Sequence, residues 1–189
     1  MNIKIINLFL ISVFFALTFS SCLKQSSLPA VNQPTEAQEM VLLAKYIAKY
    51  HPGLVPKSSG LYFVETKAAP AGADSIKAGD TVNAFYSGYL ISDDAGAGVK
   101  DGYNFDNSGN TNPFSFTVGA GRVIPGWDEG VRYMKNGSEA KLIIPSKLAY
   151  YNNYSYDMPA YSTLIFYLKV SKAVQESEIY SIIRGFTGF

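Results

Sequence analysis

Of the residues that most often carry chemistry, this chain has almost none. Its 189 residues include one cysteine (Cys22), one histidine (His51) and one tryptophan (Trp127). A single cysteine excludes an internal disulfide and a cysteine-based metal site, and a single histidine cannot build a histidine cluster. Cys/His catalysis, like Ser/His/Asp catalysis, would have to use His51 as its base. Yet that residue stands beside Pro52 where a helical stretch ends, and no GxSxG elbow accompanies it. Whatever chemistry the chain performs is therefore expected to need no metal, no cofactor and no nucleophile. Charge of one sign is also missing. Sixteen Lys and Arg against fifteen Asp and Glu give +1 with no basic run, which argues against a nucleic-acid partner.

Long apolar runs are absent except for one, Ile5 to Phe19, preceded by Lys4 and followed by Ser20, Ser21 and Cys22. It falls short of the roughly 20 residues a spanning helix requires, and its layout is that of a secretory signal. The small-small-Cys end resembles a bacterial lipobox, with Phe19 where Leu is usual and Ser21 where Gly or Ala is. Residues 1–21 are accordingly expected to be a signal peptide, and Cys22 a lipidated anchor on a flexible tether, residues 22–34. Ordinary secretory cleavage or an uncleaved anchor are the alternatives. On this reading the protein is exported and lipid-anchored at the cell envelope, on the periplasmic or outer-membrane side.

What the chain does have is aromatics: 14 Tyr and 12 Phe. They favour half-buried pleated surfaces and predict a β-rich domain. Thr35 and Gln38 form a capping box before a helix in which Leu43, Tyr46, Ile47 and Tyr50 recur until Pro52 and Gly53. Its stripe is expected to dock on its own domain, with partner binding as the alternative, and residues 35–59 form this N-terminal helical segment. From Gly60 the period becomes two. Leu61 and Phe63 alternate with Tyr62 and Val64, Val82, Ala84 and Tyr86 with Asn83, Phe85 and Ser87, and Leu164, Phe166, Leu168 and Val170 line one face of the last strand. The Gly- and Asp-rich segment SDDAGAGVKDG reads as a long surface loop leading to a second extended piece with Asn104, Phe105 and Asp106. Between the strands lies VIPGWDEGVRYM, residues 123–134. Pro125 suits a first helical turn, and Trp127, Val131 and Met134 at i, i+4 and i+7 should face inward. Strands, one short helix, then strands predict an α+β domain, an antiparallel sheet packed on a single helix.

The ordered set AFYSGYL, NFDNSG, PFSFTVGAGRVIPGWDEGVRYMKNGSEAKLIIPSKLAYY and PAYSTLIFYLKV resembles the FK506-binding-protein (FKBP) family of peptidyl-prolyl isomerases, over residues 60–174. VIPGWDEG followed by KLIIPSKLAY is especially close to the bacterial members. The resemblance implies an FKBP-like half-barrel sheet wrapped around the short helix, with an apolar pocket between them. By resemblance, Asp106, Tyr150, Ile124 and Trp127 would be the catalytic set, and Tyr86, Phe105, Phe114, Val123, Met158 and Phe166 would bind substrate. Trp127 would be the pocket floor, the main-chain N–H of Ile124 and the hydroxyl of Tyr150 would hold the turning carbonyl, and Asp106 would stand near it. Implied partners are proline-containing polypeptides, with a macrolide-type ligand as another occupant of the pocket. The implied function is folding assistance to exported proteins, with a weakly catalytic proline-peptide module or an envelope assembly component as alternatives. Tyr151 departs from the family's usual Gly, and the loop after it lacks the usual glycines. Residues 175–189 would form a C-terminal tail.

Overall fold

The period-two stretches assemble into one antiparallel sheet, and the two helical stretches cover its opposite faces. The computed structural model describes residues 33–94, 98–155 and 158–173. The expected signal peptide, Cys22, nearly all of the tether and the tail lie outside the described residues. The elements are α1 (Glu36–Tyr50), β1 (Tyr62–Lys67), β2 (Thr81–Asp94), β3 (Gly98–Asn107), β4 (Phe114–Thr117), α2 (Pro125–Arg132), β5 (Glu139–Ile144), a 3-10 turn (Ser146–Leu148) and β6 (Leu164–Lys172). Strand order is β1-β5-β6-β2-β3, and β4 pairs with the first half of β2, Thr81 opposite Thr117 through Ala84 opposite Phe114.

The central strands are buried on both faces, and their alternation shows why. On β5, Ala140, Leu142 and Ile144 pack in the cluster that holds Trp127, Val131 and Met134 of the α2 side. Ile143, between them, packs with Leu43 and Tyr46 of α1. Successive side chains of a strand point to opposite faces, so α2 fills the concave face and α1 covers the convex one. Leu43 and Tyr46 are completely or almost completely buried, which confirms docking of the N-terminal helix on its own domain. Its start is as the sequence predicts: Thr35 accepts from the Gln38 N–H while the Gln38 side chain accepts from the Thr35 N–H at 2.8 Å.

α2 sits unusually close to the sheet. A Cβ on Gly126 would lie 2.4 Å from Ile144 Cγ2, and one on Gly130 would lie 2.5 Å from Leu142 Cδ1. The two glycines thus let the helix backbone approach β5, which draws Trp127 into the sheet's hollow.

One sequence expectation is corrected. SDDAGAGVKDG is not a long loop: β2 runs to Asp94 and β3 restarts at Gly98, with Ser92 opposite Lys100 and Asp94 opposite Gly98. Gly and Asp disfavour strands in isolation, but here α1 supplies the compensating packing. Val99 is buried under α1, Lys45 pairs with Asp93 at 2.8 Å, and Lys49 and Tyr50 donate to the Val99 carbonyl at 2.8 and 3.0 Å. Residues 92–94 and 98–102 extend a hairpin that serves as a platform for the helix.

Candidate active site

Between α2, the concave face and the loops at one end of the sheet lies a cavity of about 510 Å³. Nine of the ten pocket residues named from the sequence line it: Tyr86, Phe105, Asp106, Phe114, Val123, Ile124, Trp127, Tyr150 and Phe166. Met158 does not line it; it packs against the core and pairs with Ser155 in an isolated bridge. Gly121, Arg122 and Ala149 also line the cavity. Sequence reasoning missed them because no periodicity marks them. Their adjacency to Val123 and Tyr150 was the available signal.

Trp127 is 4% exposed and ringed by aromatic edges. Tyr86 meets it at 4.9 Å and 83°, Phe166 at 5.0 Å and 85°, and Phe114 at 6.2 Å and 76° between ring centres and planes. Such edge-to-face contacts add about 0.5–1.5 kcal/mol each beyond area burial. They leave the indole little freedom to turn. Its Nε1–H is buried without a partner among the described residues. Phe114 and Tyr150 are 42% and 46% exposed, so the rim presents aromatic surface that a bound ring would cover.

Phe105 and Asp106 reach the cavity together although neighbours on a regular strand point to opposite faces. The register explains it. Gly88 is opposite Asp106 while Tyr89 is opposite Asn104, which leaves Phe105 as an extra, bulged residue. A bulge re-aims side chains in this way, and Asn104 Nδ2 holds it by donating to the Gly88 carbonyl at 2.9 Å. Gly88 is required there: a Cβ would lie 2.7 Å from a Phe166 ring carbon and 2.8 Å from a Phe105 ring carbon.

Electrostatically the site holds one carboxylate with a fixed donor. The Tyr86 hydroxyl donates to Asp106 Oδ2 at 2.7 Å. Burial, and then this bond, push the Tyr86 phenol up to about 12, so it remains a protonated donor at neutral pH. Two further donors belong to lining residues and have no partner among the described residues, the Ile124 main-chain N–H and the Tyr150 hydroxyl. Ile124 owes this to α2: its carbonyl accepts from Trp127 and Asp128 N–H at 2.9 and 3.2 Å, while its own N–H precedes the helix. Arg122, exposed at the rim, is the lining cation.

Tyr151, the sequence departure beside Tyr150, adopts a left-handed backbone with φ of 53°. The usual glycine would sit there without strain; a tyrosine costs roughly 1–2 kcal/mol. Its ring packs edge-on to Tyr161 at 5.3 Å, its N–H donates to the Ser146 carbonyl at 2.8 Å and its carbonyl accepts from Tyr161 at 2.8 Å. These contacts hold the strained turn.

A sheet wrapped on a short helix over an aromatic cup, with free donors and, among the described residues, no nucleophile–base pair, is the arrangement of a prolyl-isomerase domain. The family model described as FKBP-type peptidyl-prolyl cis-trans isomerase matches residues 72–171, and the chain belongs to that family. It is 39% identical to FK506-binding protein 1A of Neurospora crassa over 127 residues, 66% of this chain and 98% of that protein. Against FK506-binding protein 4 of Mycosarcoma maydis the identity is 42% over 112 residues, 59% of this chain and only 27% of that relative's length. Among solved structures, FkpA from Escherichia coli superposes with a TM-score of 0.57 at 34% identity, covering 72% of this chain and 57% of that one.

Proposed function

We propose that this chain catalyses cis-trans isomerisation of X-Pro bonds in polypeptides. The supporting observation is the shared cavity, in which Trp127, Tyr86, Phe105, Phe114 and Phe166 surround space for a pyrrolidine ring beside two donors without a partner among the described residues. Rotation about a peptide bond must break amide resonance, a barrier of about 18–20 kcal/mol. The two X-Pro isomers differ by only about 0.5–1 kcal/mol, so the task is one of rate. The twisted amide has lost charge separation and suits an apolar cup better than the planar one does. Trp127 forms the floor under the proline ring, and the Ile124 N–H and the Tyr150 hydroxyl hold the carbonyl as it turns, already oriented before the reaction. Asp106 is a fixed charge near that carbonyl, kept in place by Tyr86, and transfers no proton.

The clients, on this proposal, are exported proteins, and the domain reaches them at the cell envelope from a lipid anchor at Cys22. The support is the signal-like run ending in the only cysteine of the chain. A protease-coupled assay on an Ala-Leu-Pro-Phe peptide should show acceleration that falls on the order of a hundredfold in Trp127→Ala and tenfold or more in Asp106→Ala, about 2.7 and 1.4 kcal/mol of transition-state stabilisation. Equal rates with and without the protein would end the proposal. Cys22→Ala should move the protein from the membrane to the soluble fraction; unchanged fractionation would remove the anchor.

A further inference from the structure

Resting on the isomerase reading above, we infer that Glu39 of α1 is a positioning residue for the pocket, and that α1 acts as a brace on the loop carrying Tyr150. The described residues of that loop, between the end of β5 and the start of β6, are 145–155 and 158–163. Its two ends meet on one buried carboxylate. Glu39 Oε1 accepts from the Ser146 N–H at 2.6 Å and from the Thr163 hydroxyl at 2.7 Å, while Oε2 accepts from the Ser146 hydroxyl at 2.5 Å. Glu39, Ser146 and Thr163 are 4%, 1% and 5% exposed. The acid therefore sits where an unmet donor is costly, and three donors depend on it.

Further contacts between the helix and its entry residues and the same loop point the same way. Lys147 pairs with Glu36 at 2.5 Å, the Tyr151 hydroxyl donates to Glu36 Oε2 at 3.3 Å, and the Ala160 N–H donates to Gln33 Oε1 at 3.2 Å. Tyr150 thus lies between a pinned Ser146–Lys147 and a strained, tethered Tyr151. Its own hydroxyl has no partner among the described residues that would hold it. The position of that donor over the cavity is set from the far side of the sheet. None of the bracing residues lies within 72–171 except the loop itself, so the brace is supplied by a segment outside the matched family domain.

A geometric role makes a prediction that a merely structural one does not. If Glu39 acts by placing Tyr150, its removal should matter only while the Tyr150 hydroxyl is present. Contacts acting as a unit are non-additive, and a double-mutant cycle exposes it. In the full chain, Glu39→Ala should lower kcat/KM about tenfold, Tyr150→Phe by a similar factor, and the double variant no more than about twofold beyond Tyr150→Phe alone. Glu39→Gln, which keeps the shape and can keep all three bonds because the Ser146 hydroxyl can turn to accept, should recover most of the activity. Should Glu39→Ala fail to fold, Thr163→Val removes a single bond at nearly constant volume. It should lower kcat/KM about threefold in the wild type and not at all in Tyr150→Phe. Losses that multiply independently in the double variants overturn the brace while leaving the isomerase reading intact. A wild type without activity overturns the isomerase reading itself, and the brace falls with it.

Discussion

Gly88 shows how narrowly the pocket is set at the level of one residue. Two aromatic rings, Phe105 and Phe166, close over its missing side chain, with 5.5 Å between their centres. Adding one carbon at 2.7 Å from a ring has no cheap escape, since a phenyl group cannot bend away as a lysine tip can. Gly88→Ala should therefore cost about 1–3 kcal/mol of stability, as overpacking does, and raise KM for a proline peptide several-fold because both rings line the cavity. Unchanged KM, read beside a denaturant melt, would show that the rings are not held by that contact. Tyr151 permits a cleaner comparison. Replacement by Gly or by Ala removes the same ring and the same hydroxyl, but only Ala keeps a Cβ at φ of 53°. Tyr151→Gly should be more stable than Tyr151→Ala by about 1 kcal/mol, the strain less the entropy that glycine adds to the unfolded chain. Equal melting midpoints would mean that the turn relaxes in both. The departure at Tyr151 was legible in the sequence as a bulky residue where a left-handed turn was expected. That its strain is held by Tyr161 and Ser146 was not, because those partners are set by tertiary contacts.

At the scale of elements, α1 and the β2–β3 hairpin explain each other. A sequence reading could place α1 by its capping box and helical period and α2 by its first-turn proline and helical period, and it could place β6 by its period-two alternation, because all of these are local signals. Residues 92–94 and 98–102 read as loop although they are strand, since Gly and Asp belong to turns unless something packs on them. What packs on them lies some fifty residues earlier, and local patterns do not carry that information. The bulge at Phe105 was hidden too: alternation alone would send Phe105 and Asp106 to opposite faces, and only family resemblance put both in the pocket. The interdependence is testable. Leu43 is 1% exposed on the α1 face that meets Ile143, Ile165 and Val99, so Leu43→Ala should cost about 2–5 kcal/mol. Hydrogen exchange should then quicken in residues 91–94 and 98–101 before it does in β5 or β6. Uniform quickening across the sheet would show that helix and hairpin do not form a separate unit.

The whole molecule's response to alkali follows from a buried network beneath α1. Lys141, 8% exposed at its side chain, donates to the Tyr46 hydroxyl at 2.6 Å and lies 3.7 Å from Asp101. Tyr46 and Tyr167 both donate to Asp101, one to each oxygen, the latter at 2.6 Å. Burial, then the bond to Asp101, pushes both phenols well above their usual range. In the unfolded chain a phenol titrates near 10. The folded state therefore holds these protons more tightly than the unfolded one, and the stability they contribute is whole below about pH 10 and is lost as pH rises through the folded values, about 12 for Tyr86 and higher for the other two. Lys141 has the opposite sign. Burial lowers its pKa against the pull of Asp101, so the stability it withholds at lower pH returns as pH rises to the ordinary lysine value and is complete there. That returning contribution should soften the onset of the loss near pH 10; beyond it, Lys141 no longer offsets the three phenols. Unfolding free energy should thus fall steeply above about pH 10.5, with a slope approaching 1.4 kcal/mol per pH unit for each proton involved. Tyr46→Phe should lower stability at pH 7, where it strips a partner from Lys141 and Asp101, and should also make the alkaline limb shallower by about one proton. An offset with no change of slope would mean that Tyr46 loses its proton at the same pH folded and unfolded, and that the network does not govern the alkaline limit.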